Sequence, residues 1–358
     1  MNFKAMNNTI NTRNHAIDAL RVFACLLVIW QHASEFYYIG ANGIPVRETS
    51  TYIIGFITSL CRAAVPLFVI ASGYFVLPMK GSNTDFFKHR ATRIVGPFLC
   101  WGAIYAVYYM FSRGDSLTQC LKNVASLPIN FGTEIGHMWY VYMLIGLYLI
   151  VPIVSPWLQS VSKRTLQSYL GIWGVTTVLP YIHLIFPEIW GECFWNPTPM
   201  LYYFNGFIGY FILGFYIRRF GAPRKLISLT LILIGYAITA LVFNSRIETA
   251  ADIPSLELSW QQCSGNVALM AFGIFSLFTS LKMDKNSTIT NFIGDASLKG
   301  YAMYLAHMII LGELANIFIG KYNSVLIEIP LLSILTFILT YTLVKLLSML
   351  PKSKYWLG

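Results

Sequence analysis

Charge is scarce in this chain. Only 11% of its 358 residues are Asp, Glu, Lys or Arg, where a soluble domain carries roughly 25%. Hydrophobic residues make up 56%, and the mean hydropathy is +0.60. That balance excludes an ordinary water-soluble fold, because so much apolar surface needs the bilayer as part of its solvent. Paired cysteines are also lacking. Cys25, Cys61, Cys100, Cys120, Cys193 and Cys263 form neither CxxC nor a metal-ligand spacing, and three of them sit in apolar runs. The pattern argues against structural disulfides and assigns no metal ligand, although Cys120, Cys193 and Cys263 are expected nearer the outer face, where a bridge has room to form. No GxGxxG, GxxxxGK[ST] or HExxH motif occurs, so phosphate-cradling loops and zinc-protease chemistry have no footing. The polar start MNFKAMNNTINTRNH lacks the apolar core of a signal peptide. There is no long linker, low-complexity tract or internal repeat, which leaves one domain over 1–358 and no sign of a transporter built from two related halves.

What is present is a series of apolar runs, each near the roughly 20 residues needed to cross the hydrocarbon core. They cover 17–38, 52–78, 93–112, 137–156, 167–187, 200–217, 226–243, 262–281, 296–318 and 324–347. The expected fold is an all-α polytopic membrane protein of about ten transmembrane helices around a central polar cavity. With the N-terminus placed in the cytoplasm, 17 of the 25 basic residues fall in cytoplasmic loops and tails, and five in the opposite loops, where Glu48, Asp115, Glu134, Glu188, Glu192, Glu248, Asp252 and Glu257 collect. This alternation follows the positive-inside rule and puts both termini in the cytoplasm. It also assigns the net charge of +10 to topology and contact with anionic membrane lipid, with no nucleic-acid partner. Oligomeric state leaves no trace in the sequence.

The remaining basic residues, Arg21, Arg62 and Lys299, lie within spans. The first span also carries Asp18, His32 and Glu35. An ionised group at the bilayer centre costs roughly 2.5–3.5 kcal/mol, so such groups turn toward protein or a hydrated cavity. Arg21 and His32 are eleven positions apart; eleven steps of about 100° end about 20° past three turns, on the same face and about 16.5 Å along the axis. Glu35 three residues after His32, and Asp18 three before Arg21, extend that face into a polar stripe. The stripe reads either as a buried ion-pair set that fixes packing, or as the wall of a cavity in which His32 is a base supported by Glu35 and Arg21 binds an anion. Ionisable groups inside spans also make proton relays, so a proton-coupled transporter of a small solute or glycan precursor is the rival reading.

The pairing R21-VFACLLVIWQ-H32 resembles the first span of the membrane-bound acyltransferase family 3, whose members are O-acyltransferases of carbohydrates. RAAVPLFVIASGYF (62–75), with Arg62 and Ser72-Gly73-Tyr74, is similar to its second span. HRATRIVGPF (89–98) resembles its Arg-x-x-Arg at Arg90 and Arg93. GHMWYVYMLIGLYLIVPIVSP (136–156) resembles its His-x-Trp-aromatic segment, and GDASLKGYAMYLAHMII (294–310) its late span with Ser297, Tyr304 and His307. The matches run in order over most of the chain, and the length looks most like the stand-alone sugar O-acetyltransferases of the bacterial inner membrane.

The resemblance implies acetyl-CoA, or another acyl-CoA, as co-substrate and a hydroxyl of a carbohydrate or lipid-linked glycan as acceptor. His32 then serves as general base or as a covalently acylated nucleophile, with Glu35 and Arg21 as catalytic partners. Arg21, Arg90 and Arg93 form the clamp for the anionic CoA, as guanidinium forks suit phosphates. Arg62 is either a counter-ion to Glu35 or Glu313, or a contact to the acyl carbonyl or acceptor. Ser72, His137, Trp139, Tyr140, Tyr304 and His307 complete the substrate-binding set, although Trp139 and Tyr140 also suit an interfacial aromatic belt and His307 a hydrogen bond to a neighbour. Asp295 and Ser297 read as N-cap residues, the glycines of 200–217 as points of close helix contact, and the stripe as a passage joining the two faces.

Overall fold

The computed structural model describes residues 13–129, 133–190, 201–284 and 287–358. Lys4, Glu192, Cys193 and Lys285 lie outside the described residues, as does the side chain of Glu134. Ten helices occupy the positions of the ten apolar runs: α1 (His15–Tyr38), α2 (Thr49–Val76), α3 (Asn83–Ser112), α4 (Ile135–Ser160), α5 (Lys163–Ile185), α6 (Phe207–Phe220), α7 (Lys225–Arg246), α8 (Gly265–Thr279), α9 (Thr288–Phe318) and α10 (Val325–Leu347). Eight are long and apolar enough to cross a membrane, and α8 joined to the bent preceding helix Ile253–Trp260 makes a ninth. The exception, α6, has 14 residues, or about 21 Å of axis. It starts late because Gly206, at φ 84°, breaks the chain after the short turn Tyr202–Phe204. The protein is an integral membrane protein.

Helix α1 starts where the Asn14 side chain accepts from the backbone N–H groups of Ala16 and Ile17, and it packs against α2, α8, α9 and α10. The third span begins ten residues before its apolar run. Its polar first turns carry Arg90, and a π-helical turn over Ala91–Val95 carries Arg93. Pro97 follows directly; it lacks the N–H that the Arg93 carbonyl would otherwise accept, and a widened turn accommodates the loss. At the same end of the bundle, Arg218 donates to the carbonyls of Tyr74 and Leu77, and Arg219 to that of Leu158 at 2.6 Å. These two basic residues therefore close the open carbonyl ends of α2 and α4.

Asp18 and Asp295 depart from the sequence expectations. Asp18 does not pair with Arg21. It accepts from Arg13 at 2.6 Å and from Ser297 at 2.8 Å, tying the start of α1 to α9. Neither Asp295 nor Ser297 caps a helix, because α9 begins two turns earlier, at the N-cap Ser287. Asp295 instead accepts from Lys299 and from Tyr341 of α10. Cys25, Cys61, Cys100, Cys120 and Cys263 are free thiols.

Close helix contact at the glycines does occur. A Cβ at Gly73 would lie 1.8 Å from the carbonyl oxygen of Phe211, and one at Gly214 2.0 Å from that of Ile70. Backbone touches backbone where α2 meets α6, and neither side can yield by rotating a side chain. Gly73→Ala should lower the thermal midpoint in detergent, with a cost on the order of 1–3 kcal/mol or more. Gly146→Ala, on a surface where nothing lies within 4 Å, should leave it unchanged. Equal midpoints for the two variants would show that the contact is not tight.

Candidate active site

Two cavities open at opposite ends of the bundle, and α1 walls both. The first, of about 440 Å³, is lined by Arg21, Arg90, Arg93 and Lys354, with Ser72, Tyr140, Tyr148 and Tyr304 among its polar and aromatic walls. The second, of about 810 Å³, is lined by Gln31, His32, Glu35, Arg62, His137, Trp139, Glu257 and Trp260. The calculated stripe is thus real for Arg21, His32 and Glu35, while Asp18 lies off it in the contact with α9.

The basic cavity is unbalanced in charge. No Asp or Glu side chain among the described residues lines it. Arg21 and Arg93 make no hydrogen bond or salt bridge among the described residues. Arg90 lies over the rings of Tyr148, at 5.0 Å, and Phe86, at 5.4 Å, and its buried Nε has no partner. Ser72 and Tyr148 share a hydrogen bond of 3.0 Å on the wall. Like charges gathered without an Asp or Glu side chain repel one another and favour an anion between them. Lys354, in the tail after α10, is a cation that sequence reasoning missed; nothing in a tail beyond the last span marks it as part of a cavity.

The histidine cavity is balanced. His32 Nδ1 and Glu35 Oε2 are 2.8 Å apart, and since a carboxylate only accepts, Nδ1 carries the hydrogen and Nε2 is left as the basic nitrogen. Arg62, 4% exposed, forms its salt bridge with neither Glu35 nor Glu313. Its Nη2 lies 3.3 Å from Glu257 and 3.1 Å from the Tyr38 hydroxyl, which itself donates to Glu257. The guanidinium stacks at 3.9 Å on Trp260, and Glu313 accepts instead from Tyr108. Glu257 lies 195 residues from Arg62, in a loop that the sequence reading placed opposite the cytoplasm without linking it to a span.

Three imidazoles converge beside this cavity. The rings of His32 and His307 are 5.5 Å apart, those of His137 and His307 5.2 Å, and those of His32 and His137 6.5 Å. His307 is fully buried; its Nδ1 donates to the Tyr304 carbonyl at 2.6 Å, leaving Nε2 without a partner. Tyr105 spends its hydroxyl hydrogen on the Leu305 carbonyl, so it accepts from His137 Nε2 at 3.4 Å. Each residue was in the sequence-derived set, but positions 32, 137 and 307 carry no signal that they meet.

The expected passage is interrupted. Val28 lines the basic cavity and His32 the other, four residues and about 6 Å apart along α1. Between the two, Tyr304 donates its hydroxyl to the His137 carbonyl, and its ring packs against Tyr140 at 5.4 Å and His137 at 5.8 Å. Tyr140 is a cavity residue, 9% exposed, not an interfacial anchor; Trp139, half-buried, faces the histidine cavity. Among the substrate candidates, Ser72, Tyr140 and Tyr304 therefore line the basic cavity, and Arg62, His137 and Trp139 the histidine cavity.

Removing one partner from a buried ion pair typically costs 3–5 kcal/mol, because the other charge stays buried and unpaired. Glu257→Ala should therefore lower the thermal midpoint substantially, and Arg62→Leu added to it should restore part of the loss. A double variant less stable than Glu257→Ala would show that Arg62 is held by something other than its acid.

Residues 14–345 match the family model described as acyltransferase domain, that of acyltransferase family 3. No curated protein and no solved structure matches the chain. With the match covering nearly the whole bundle, and every lining residue of the two cavities except Lys354 and Gly358, the chain belongs to acyltransferase family 3.

Proposed function

We propose that the protein transfers an acyl group, acetyl in the simplest case, from cytosolic acyl-CoA to a hydroxyl of a carbohydrate or lipid-linked glycan, in a bacterial inner membrane. The observation that supports this reading is the basic cavity, lined by no Asp or Glu side chain among the described residues, one helical turn from the His32–Glu35 pair. Membership in an acyltransferase family favours group transfer over proton-coupled transport.

The positive-inside bias puts the basic cavity at the cytoplasmic face. The CoA phosphates bind Arg21, Arg90, Arg93 and Lys354 there, with the thioester pointing into the bundle. The acceptor hydroxyl enters the histidine cavity, where Trp139 offers an aromatic face and Arg62, Glu257 and Gln261 offer polar contacts. His32 Nε2 removes the hydroxyl proton as the oxygen attacks the thioester carbonyl. The new C–O bond forms, the C–S bond breaks, and the departing thiolate takes up a proton to leave as free CoA. Glu35 holds the His32 ring and balances the imidazolium. Acyl and hydroxyl meet only when the layer of Tyr140 and Tyr304 parts, and the bond from Tyr304 to the His137 carbonyl is its catch.

Purified protein incubated with labelled acetyl-CoA and candidate glycans tests the reading. His32→Ala should lose about 10²–10⁴-fold of the transfer rate, and Arg90→Ala with Arg93→Ala should raise the KM for acetyl-CoA while sparing kcat. Equal transfer by wild type and His32→Ala would remove His32 from the chemistry. An unchanged KM in the double variant would leave the arginines as topology signals, and solute uptake by vesicles without label transfer would favour transport.

A further inference from the structure

The basic cavity changes character along its length, and four helices agree on the direction. On α1 it runs from Arg21 to Val28, on α2 from Val76 to Val65, on α4 from Tyr148 to Tyr140, and on α9 from Leu298 to Tyr304. The first-named end carries the cations. The far end is a cage of Val28, Val65, Phe68, Tyr140, Leu144 and Tyr304, about 10 Å above Arg21 by the rise of α1. Among the described residues the cage contains no charged side chain, and it is roofed by the Tyr140–Tyr304 layer.

Resting on the proposed function, we infer that this cage selects the acyl group of the donor, admitting short uncharged chains, and that Phe68 measures their length. A donor held at its phosphates by the cations points its acyl end into the cage. While the donor loads, before the layer parts, a longer chain meets the closed aromatic roof of Tyr140 and Tyr304, latched by the bond from Tyr304 to the His137 carbonyl. A succinyl group would place a carboxylate among mainly apolar walls that hold no charged side chain of their own, an expensive burial. Among the walls, Val28 and Val65 are buried in the core. Phe68 is only half-buried, has no polar atom to satisfy, and stands with its ring 6.4 Å from that of Tyr140. Truncating it therefore widens the cage, whereas truncating a fully buried neighbour would open a void in the core.

The test compares kcat/KM for acetyl-, hexanoyl- and succinyl-CoA in detergent-purified full-length protein. Wild type should prefer acetyl over both others; one methylene in such a pocket is worth roughly 10–200-fold. Phe68→Ala should raise the hexanoyl-to-acetyl ratio at least tenfold without raising the succinyl-to-acetyl ratio. Phe68→Trp should lower the hexanoyl-to-acetyl ratio further, and Phe68→Leu serves as the milder enlargement if the alanine variant does not fold. A wild type that prefers hexanoyl or succinyl, or ratios that stay within twofold across the folded Phe68 variants, overturns the inference while leaving acyl transfer intact. A wild type inactive with every thioester overturns the proposed function, and this inference with it.

Discussion

A charge inside a lipid-crossing bundle must be matched by protein, by water or by a ligand, and that constraint organises this molecule. Asp18 is matched by Arg13 and Ser297, Arg62 by Glu257, Tyr38 and the face of Trp260, and Glu35 by His32. The first two matches tie segments far apart in sequence, although Arg62 and Glu257 also line the histidine cavity. The His32–Glu35 match differs, because it uses one ring nitrogen and leaves the other basic beside a cavity.

Against that background of satisfied charge, the basic cavity stands apart. Arg21, Arg90, Arg93 and Lys354 face one space without an acidic side chain. Cations gathered in one space repel one another, and an anion bound among them relieves that repulsion. On the function we propose, the imbalance at one end and the base at the other are two halves of one reaction, separated by an aromatic layer held by the bond from Tyr304 to the His137 carbonyl.

Much of this was legible in the sequence, for physical reasons. Long apolar runs located all ten helices because the bilayer demands them, and helical periodicity aligned Arg21, His32 and Glu35 because 11 and 3 are near-multiples of the turn. The same rules failed where geometry is set by contacts between distant segments. Spacing along α1 suggested Asp18 beside Arg21, but α9 supplied a better partner in Ser297, 279 residues away. Hydropathy gave α6 a full span, but composition does not register the backbone turn at Gly206 that shortens it. The Glu257 partner of Arg62, the meeting of His32, His137 and His307, and the return of Lys354 to the cavity all depend on chain crossings that no local pattern encodes.

The central claim is that the donor occupies the basic cavity with its reactive end toward His32. A cryo-electron microscopy map of the protein with a non-hydrolysable acetyl-CoA analogue tests it most directly. The account predicts phosphate density against Arg21, Arg90, Arg93 and Lys354, and the acyl end beneath Tyr304. Donor density in the histidine cavity, or an empty basic cavity at saturating ligand, would contradict it.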